Sequence, residues 1–210
     1  MTDSNSPTKM NIDKNTVADF LRGYSLVAEK FSKKEKGQSK TPDFRVHKQN
    51  ELVFYCEVKS IEQDNFEELV LKHGFYVRTG KNPIDDIISK KIHEAHKQFN
   101  TVNRGCNLPN VLVFVNHERT FEWKYGALQR VVAEVVPLSD GTYLQVGNRA
   151  IDGRIKTEKF DIHLYIWIDY FRHTEPGFLF SQSNKTHYCN LCKYFRKKPE
   201  EIDVSKRKQC

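Results

Sequence analysis

Thr41-Pro42-Asp43-Phe44-Arg45-Val46, the link His47-Lys48-Gln49-Asn50 and the run Leu52-Val53-Phe54-Tyr55-Cys56-Glu57-Val58-Lys59 decide the fold. Both runs are rich in β-branched and aromatic residues, and the link between them supplies turn formers, so the spacing predicts a β-hairpin. Side chains alternate faces along a strand. Leu52, Phe54, Cys56 and Val58 therefore share one side, and Val53, Tyr55, Glu57 and Lys59 the other. Glu57 and Lys59 stand side by side at the end of an otherwise apolar strand. Such charges are costly unless they pair, bind something or reach water. The plain alternative is an edge strand ending in a surface ion pair.

Before the hairpin, Val17, Phe20, Leu21, Tyr24, Ala28 and Phe31 recur at helical spacing. With Thr16 as N-cap and Asp19 in the capping-box position, they predict an amphipathic helix ending near Ser32. Lys33, Lys34, Glu35, Lys36 and Gly37 then read as a basic loop. After the hairpin, residues 60–82 read as irregular. Pro83 opens a second helix over 84–99, with Ile84, Ile88, Ile92, Ala95 and Phe99 as its buried stripe. Val111-Leu112-Val113-Phe114-Val115-Asn116 is a continuous apolar run, as in a strand covered on both faces. Further on, the pattern predicts a helix in 122–135, strands at 142–146 and 162–168, and a short helix at 189–196. The order implies one α/β domain over 15–195, a central mixed β-sheet flanked by helices, between a flexible tail (1–14) and a basic tail (196–210).

Asp43 gives the hairpin its chemistry. If 43–46 pairs antiparallel with 52–59, Asp43 comes to the same end as Lys59, and its carboxylate can converge with that of Glu57. Two carboxylates a few ångströms apart repel, and a hard divalent cation holds both ionised. Asp43, Glu57 and a backbone carbonyl would leave such an ion positions for water and a phosphate oxygen.

Pro42-Asp43, thirteen intervening residues, then Glu57-Val58-Lys59 resembles the signature of the PD-(D/E)XK nucleases, on the hairpin where that family carries it. With the flanking helices and the strand at 111–116, the resemblance covers roughly residues 16–116. It implies a restriction-endonuclease-like core and magnesium-dependent hydrolysis of DNA phosphodiesters, with manganese as a substitute metal. It also implies that Asp43, Glu57 and the carbonyl of Val58 are metal ligands and that Lys59 orients the attacking water. Many relatives draw a lysine or glutamine from the second helix, which points to Lys91 and Gln98. On the 100° periodicity both fall within the Ile84/Ala95 stripe, although Lys91 could snorkel and Gln98 cap the helix end. Many relatives also place a metal-assisting glutamate on the first helix, and Glu29 is the one available there. It lies off the apolar stripe, so a solvated surface position is the alternative.

Composition agrees with a polyanionic partner. The 210 residues carry a formal net charge of +7, which favours nucleic acid without requiring it. Lys33, Lys34, Lys36 and Lys40 precede Asp43 and are candidates for gripping the backbone. No apolar run has the length of a membrane span and the N-terminus lacks a signal-peptide core, so a soluble, cytoplasmic protein is expected. Five cysteines at irregular spacing argue against a disulfide framework. Cys189 and Cys192 make half a zinc site, to be read as two free thiols or, with His187 or Cys210, as a structural metal centre. Three functions follow: a DNA-cleaving enzyme, a non-catalytic nucleic-acid-binding module on the same fold, and a zinc-stabilised interaction protein. Dimerisation is left open.

Overall fold

The computed structural model describes residues 9–61, 83–117, 124–132, 135–137, 143–145, 158–171, 174–181 and 183–198. The expected irregular stretch beyond Ile61, the first eight residues and most of the basic tail lie outside these. In chain order the elements are α1 (Lys9–Arg22), β1 (Val27–Lys30), α2 (Lys33–Gln38), β2 (Phe44–Lys48), β3 (Glu51–Ile61) and α3 (Pro83–Val102). They continue with β4 (Asn110–Asn116), α4 (Lys124–Val132), β5 (Val135–Pro137), β6 (Tyr143–Gln145), α5 (Glu158–Asp161), β7 (Leu164–Asp169), β8 (Gly177–Phe180) and α6 (Lys185–Tyr194).

The hairpin forms as expected. β2 and β3 pair antiparallel, and Gln49 and Asn50 join them with φ of 51° and 68°. Two successive left-handed residues match the twist of a tight hairpin turn. The register slips between Val46 and His47, leaving Val53 as an extra residue on β3. That bulge overturns strict alternation locally: Val53 is buried in the same cluster as Phe54, Cys56 and Val58. Beyond it, Tyr55 and Ile61 pack on the other face.

The hairpin seeds a mixed six-stranded sheet in the order β1-β2-β3-β4-β7-β8, with β4 parallel to both β3 and β7. Every residue of β4 is buried, as a strand covered on both faces requires. Val111, Val113 and Val115 face a core shared with Val17 and Leu21 of α1 and Leu191 of α6. Leu112 and Phe114 face Ile88, Ile92, Ala95 and Phe99 of α3 and Leu128 of α4. Each such side chain contributes about 1.5–3 kcal/mol when fully buried, so the two layers lock the helices onto opposite faces. Among the described residues no helix is long and apolar enough to cross a membrane.

The first helix differs from expectation at both ends. It begins at Lys9, so residues 9–14 belong to it rather than to a tail, and it stops at Arg22 rather than near Ser32. Thr16 lies inside the helix, where its hydroxyl donates back to the carbonyl of Ile12 at 3.0 Å instead of capping an N-terminus. Ser25 adopts φ 60°, its N–H bonds the carbonyl of Arg22 at 2.9 Å, and the N–H of Leu26 bonds that of Leu21 at 3.2 Å. That pair of bonds is a Schellman closure, which turns the chain into β1. The basic segment 33–38 is a short helix, α2, because Ser32 and Glu35 form a capping box around its N-terminus.

At the far end of the sheet His163, just before β7, accepts the backbone N–H of Asn110 on Nδ1 at 3.0 Å. His187 of α6 meets it edge-on, with ring centroids 4.5 Å apart, and donates from Nε2 to the carbonyl of Cys106 at 2.8 Å. Both rings are buried. Cys192 is buried and Cys189 exposed on the same helix.

Candidate functional site

The site grows from a mismatch in strand length. β2 begins at Phe44, opposite Cys56, whereas β3 runs on to Ile61 beside β4. Pro42, with no N–H and a fixed φ, stops the β2 ladder at that point. Residues 57–61 of β3 are therefore paired with β4 on one side and open on the other. The N–H of Tyr55 donates to Pro109 on the β4 side, and the carbonyl of Ile61 accepts there from His117. Even-numbered residues between them turn their backbone groups to the opposite, open edge. Asp43 fills that edge: its Oδ2 accepts the N–H of Val58 at 3.1 Å. By the same geometry the carbonyl of Val58 faces the open edge too.

Glu57 and Lys59 lie on the α3 face of β3. Lys59 Nζ is 2.9 Å from Glu57 Oε1 and donates to Gln98 Oε1 of α3 at 2.8 Å. Gln98 in turn donates to the carbonyl of Thr41 at 3.1 Å, tying α3 to the segment that carries Asp43. Lys14 of α1 reaches in from the other side, with Nζ 2.6 Å from Asp43 Oδ1. A cleft of about 500 Å3 opens here, lined by Asp43, Glu57, Val58, Lys59, Lys91 and Gln98, with Met10, Lys14 and Ser60 along the α1 side and Glu94 along α3.

Electrostatically the carboxylates are strained together. Glu57 is 2 % exposed, and burial first, then the charge of Asp43, pushes its pKa up to about 7 against the opposing pull of Lys59 and Gln98. Its Oε2 is buried and has no hydrogen-bond partner among the described residues. An acceptor atom in that state costs about 1–3 kcal/mol. No family model, curated protein or solved structure matches the chain.

Asp43, Glu57, Val58, Lys59, Lys91 and Gln98, all singled out from the sequence, thus line one cleft. Glu29 does not join them. It sits on β1 with its side chain 57 % exposed, 3.6 Å from Nδ1 of His47, because the helix expected to carry it has already ended. Lys33, Lys34 and Lys36 are exposed on α2, and none of them, nor Lys40, lines the cleft. His93 and His96 of α3 pair with Glu158 at 2.9 Å and Asp161 at 2.8 Å, and His93 remains exposed.

Sequence reasoning missed the α1 wall. Asp13 is fully buried, 2.6 Å from Nε2 of His117, and accepts the hydroxyl of Ser60. A signal existed: Asp13, Val17 and Leu21 fall four apart on one helical stripe, and all three are fully buried. Among the described residues no three His, Cys, Asp or Glu side chains group closely enough to hold a metal by themselves. A hard cation at this place would rest on two carboxylates and a carbonyl, and the unpartnered Glu57 Oε2 is the atom that fits it.

Proposed function

We propose that the chain is a divalent-metal-dependent nuclease of the PD-(D/E)XK type, with a restriction-endonuclease-like core, that hydrolyses DNA internally. The observation that carries this reading is the buried, partnerless Glu57 Oε2 beside Asp43 and Lys59 in one open cleft. A buried acid with a bare oxygen next to a second acid is a poor structural element and a good ligand. Asp43, Glu57 and the carbonyl of Val58 would hold magnesium or manganese. When bound, the ion supplies Lewis acidity and a water of lowered pKa.

The chain's own groups do the rest. Lys59, held by Gln98, presents an ammonium beside Glu57, where it stabilises charge developing on a phosphate oxygen. Lys91, on the α3 side of the cleft, adds a second cation toward the same substrate. The net charge of +7 draws a polyanion to the surface.

A specific observation favours a second reading. Each acid already has an amine, Lys14 on Asp43 and Lys59 on Glu57, as a module that binds nucleic acid without cutting it could retain. A cleavage panel separates the two. Linear, supercoiled, single-stranded and branched DNA are incubated with magnesium or manganese, beside Asp43→Ala and Lys59→Ala. Metal-dependent cutting lost in both variants supports the enzyme. Binding without cutting on every substrate leaves the module.

A further inference from the structure

Asp43 has two carboxylate oxygens, and both are engaged. Oδ2 holds the backbone N–H of Val58, a fixed group of the sheet. Oδ1 holds the ammonium of Lys14 at 2.6 Å, with the two side chains 15 % and 9 % exposed. Only the second partner can leave. Lysine is a compact, strongly hydrated charge on a flexible four-carbon stem, and Lys14 borders the open cleft. The helix beneath it is pinned, because the neighbouring Asp13 is clasped by His117 and Ser60. A change at Lys14 is therefore a swing of one side chain rather than a shift of α1.

From this geometry we infer that Lys14 is a resident counter-ion, exchanged for the divalent cation at Asp43 Oδ1 when the cleft loads. The inference rests on the metal-dependent reading above. A hard divalent ion seeks that same oxygen, and an ammonium left in place at 2.6 Å would repel it in a poorly solvated pocket. The lysine neutralises Asp43 beside Glu57 while the cleft lacks metal. Its departure leaves Asp43 bonded to Val58 and open to the ion. Lys14 thus works against metal binding, the reverse of what a residue with a purely structural role would do.

Two measurements test this. Titration calorimetry with Mn2+ alone is run on the wild type, Lys14→Met and Lys14→Gln; glutamine retains a donor toward Asp43 without the charge. Removing the competitor is expected to tighten Mn2+ binding on the order of tenfold. In the unmodified protein, acetylation of Lys14 followed by mass spectrometry should quicken when Mn2+ is added, since the freed amine enters the cleft. Mn2+ binding that is unchanged or weaker in folded variants, or Lys14 reactivity indifferent to Mn2+ that does bind, overturns the exchange and leaves the metal site standing. Absence of Mn2+ binding in all three proteins removes the metal reading and the exchange with it.

Discussion

Lys59 and Glu57, two positions apart on one face of β3, meet at 2.9 Å, and Gln98 of α3 holds the same ammonium from the other side at 2.8 Å. The lysine is thus held at the rim of a cleft by these two partners and, more loosely, by Glu94, whose Oε2 lies 3.8 Å from Nζ. If it steadies the charge of a reacting phosphate, Lys59→Ala should lower the cleavage rate by a factor on the order of a hundred or more. Gln98→Ala, which only loosens its aim, should cost about tenfold. Circular dichroism should show both variants folded. Equal, small losses in the two would place Lys59 outside the chemistry.

Burial and the Asp43 charge raise the Glu57 pKa from 4.5 to about 7. The folded, metal-free protein therefore binds a proton more tightly than the unfolded chain. The contribution of Glu57 to metal-free stability is full below pH 4.5 and is lost as pH rises through about 7. A cation must displace that proton, so apparent Mn2+ affinity should fall about tenfold per unit as pH drops below 7. Calorimetry in buffers of different ionisation enthalpy reads the proton release directly. Affinity that is flat from pH 5 to 8 would mean that Glu57 is not a ligand.

His163 behaves in the opposite sense. Burial, reinforced by His187, lowers its pKa from 6.5 to about 4, so the folded state favours the neutral ring. Its contribution is present above pH 6.5 and is lost as pH falls through about 4, in total roughly 3 kcal/mol. Denaturant unfolding of the wild type and His163→Asn, compared across that window, should show the wild type losing stability relative to the variant. Parallel curves would refute it.

Ser25 closes α1 with φ 60°, a conformation that costs a side-chain-bearing residue about 1–2 kcal/mol. Ser25→Gly should therefore stabilise the protein by about 0.5–1 kcal/mol in urea melts. No gain would indicate that the serine side chain compensates at this turn.

The hairpin, α3 and β4 were legible because local chemistry and tertiary demand agree there: turn residues between two apolar runs, a proline at the helix start, an unbroken buried strand. Asp43, Glu57 and Lys59 were legible for the same reason, since strand alternation within one short hairpin brings them together; Gln98, 39 residues beyond Lys59, was legible through the helical periodicity that puts it within the apolar stripe of α3. The end of α1 was hidden by Ser25, which takes a left-handed turn that glycine usually marks, while Tyr24, Ala28 and Phe31 prolong the apparent helical period into β1. Glu29 was misplaced with it. Asp13 and Lys14 were missed because a polar stretch reads as solvated unless its partners are known. Theirs, His117, Ser60 and Asp43, lie far along the chain.

The early start of α1 bears on how the protein can be handled. A recombinant version trimmed to Thr16, where the hydrophobic pattern first becomes obvious, would still contain the strands and most of the core. It would lack Met10, Asp13 and Lys14, three of the groups that shape or brace the cleft, and would expose His117 and Ser60. Such a shortened protein could fold well and still be inert for a reason unrelated to Glu57 or Lys59.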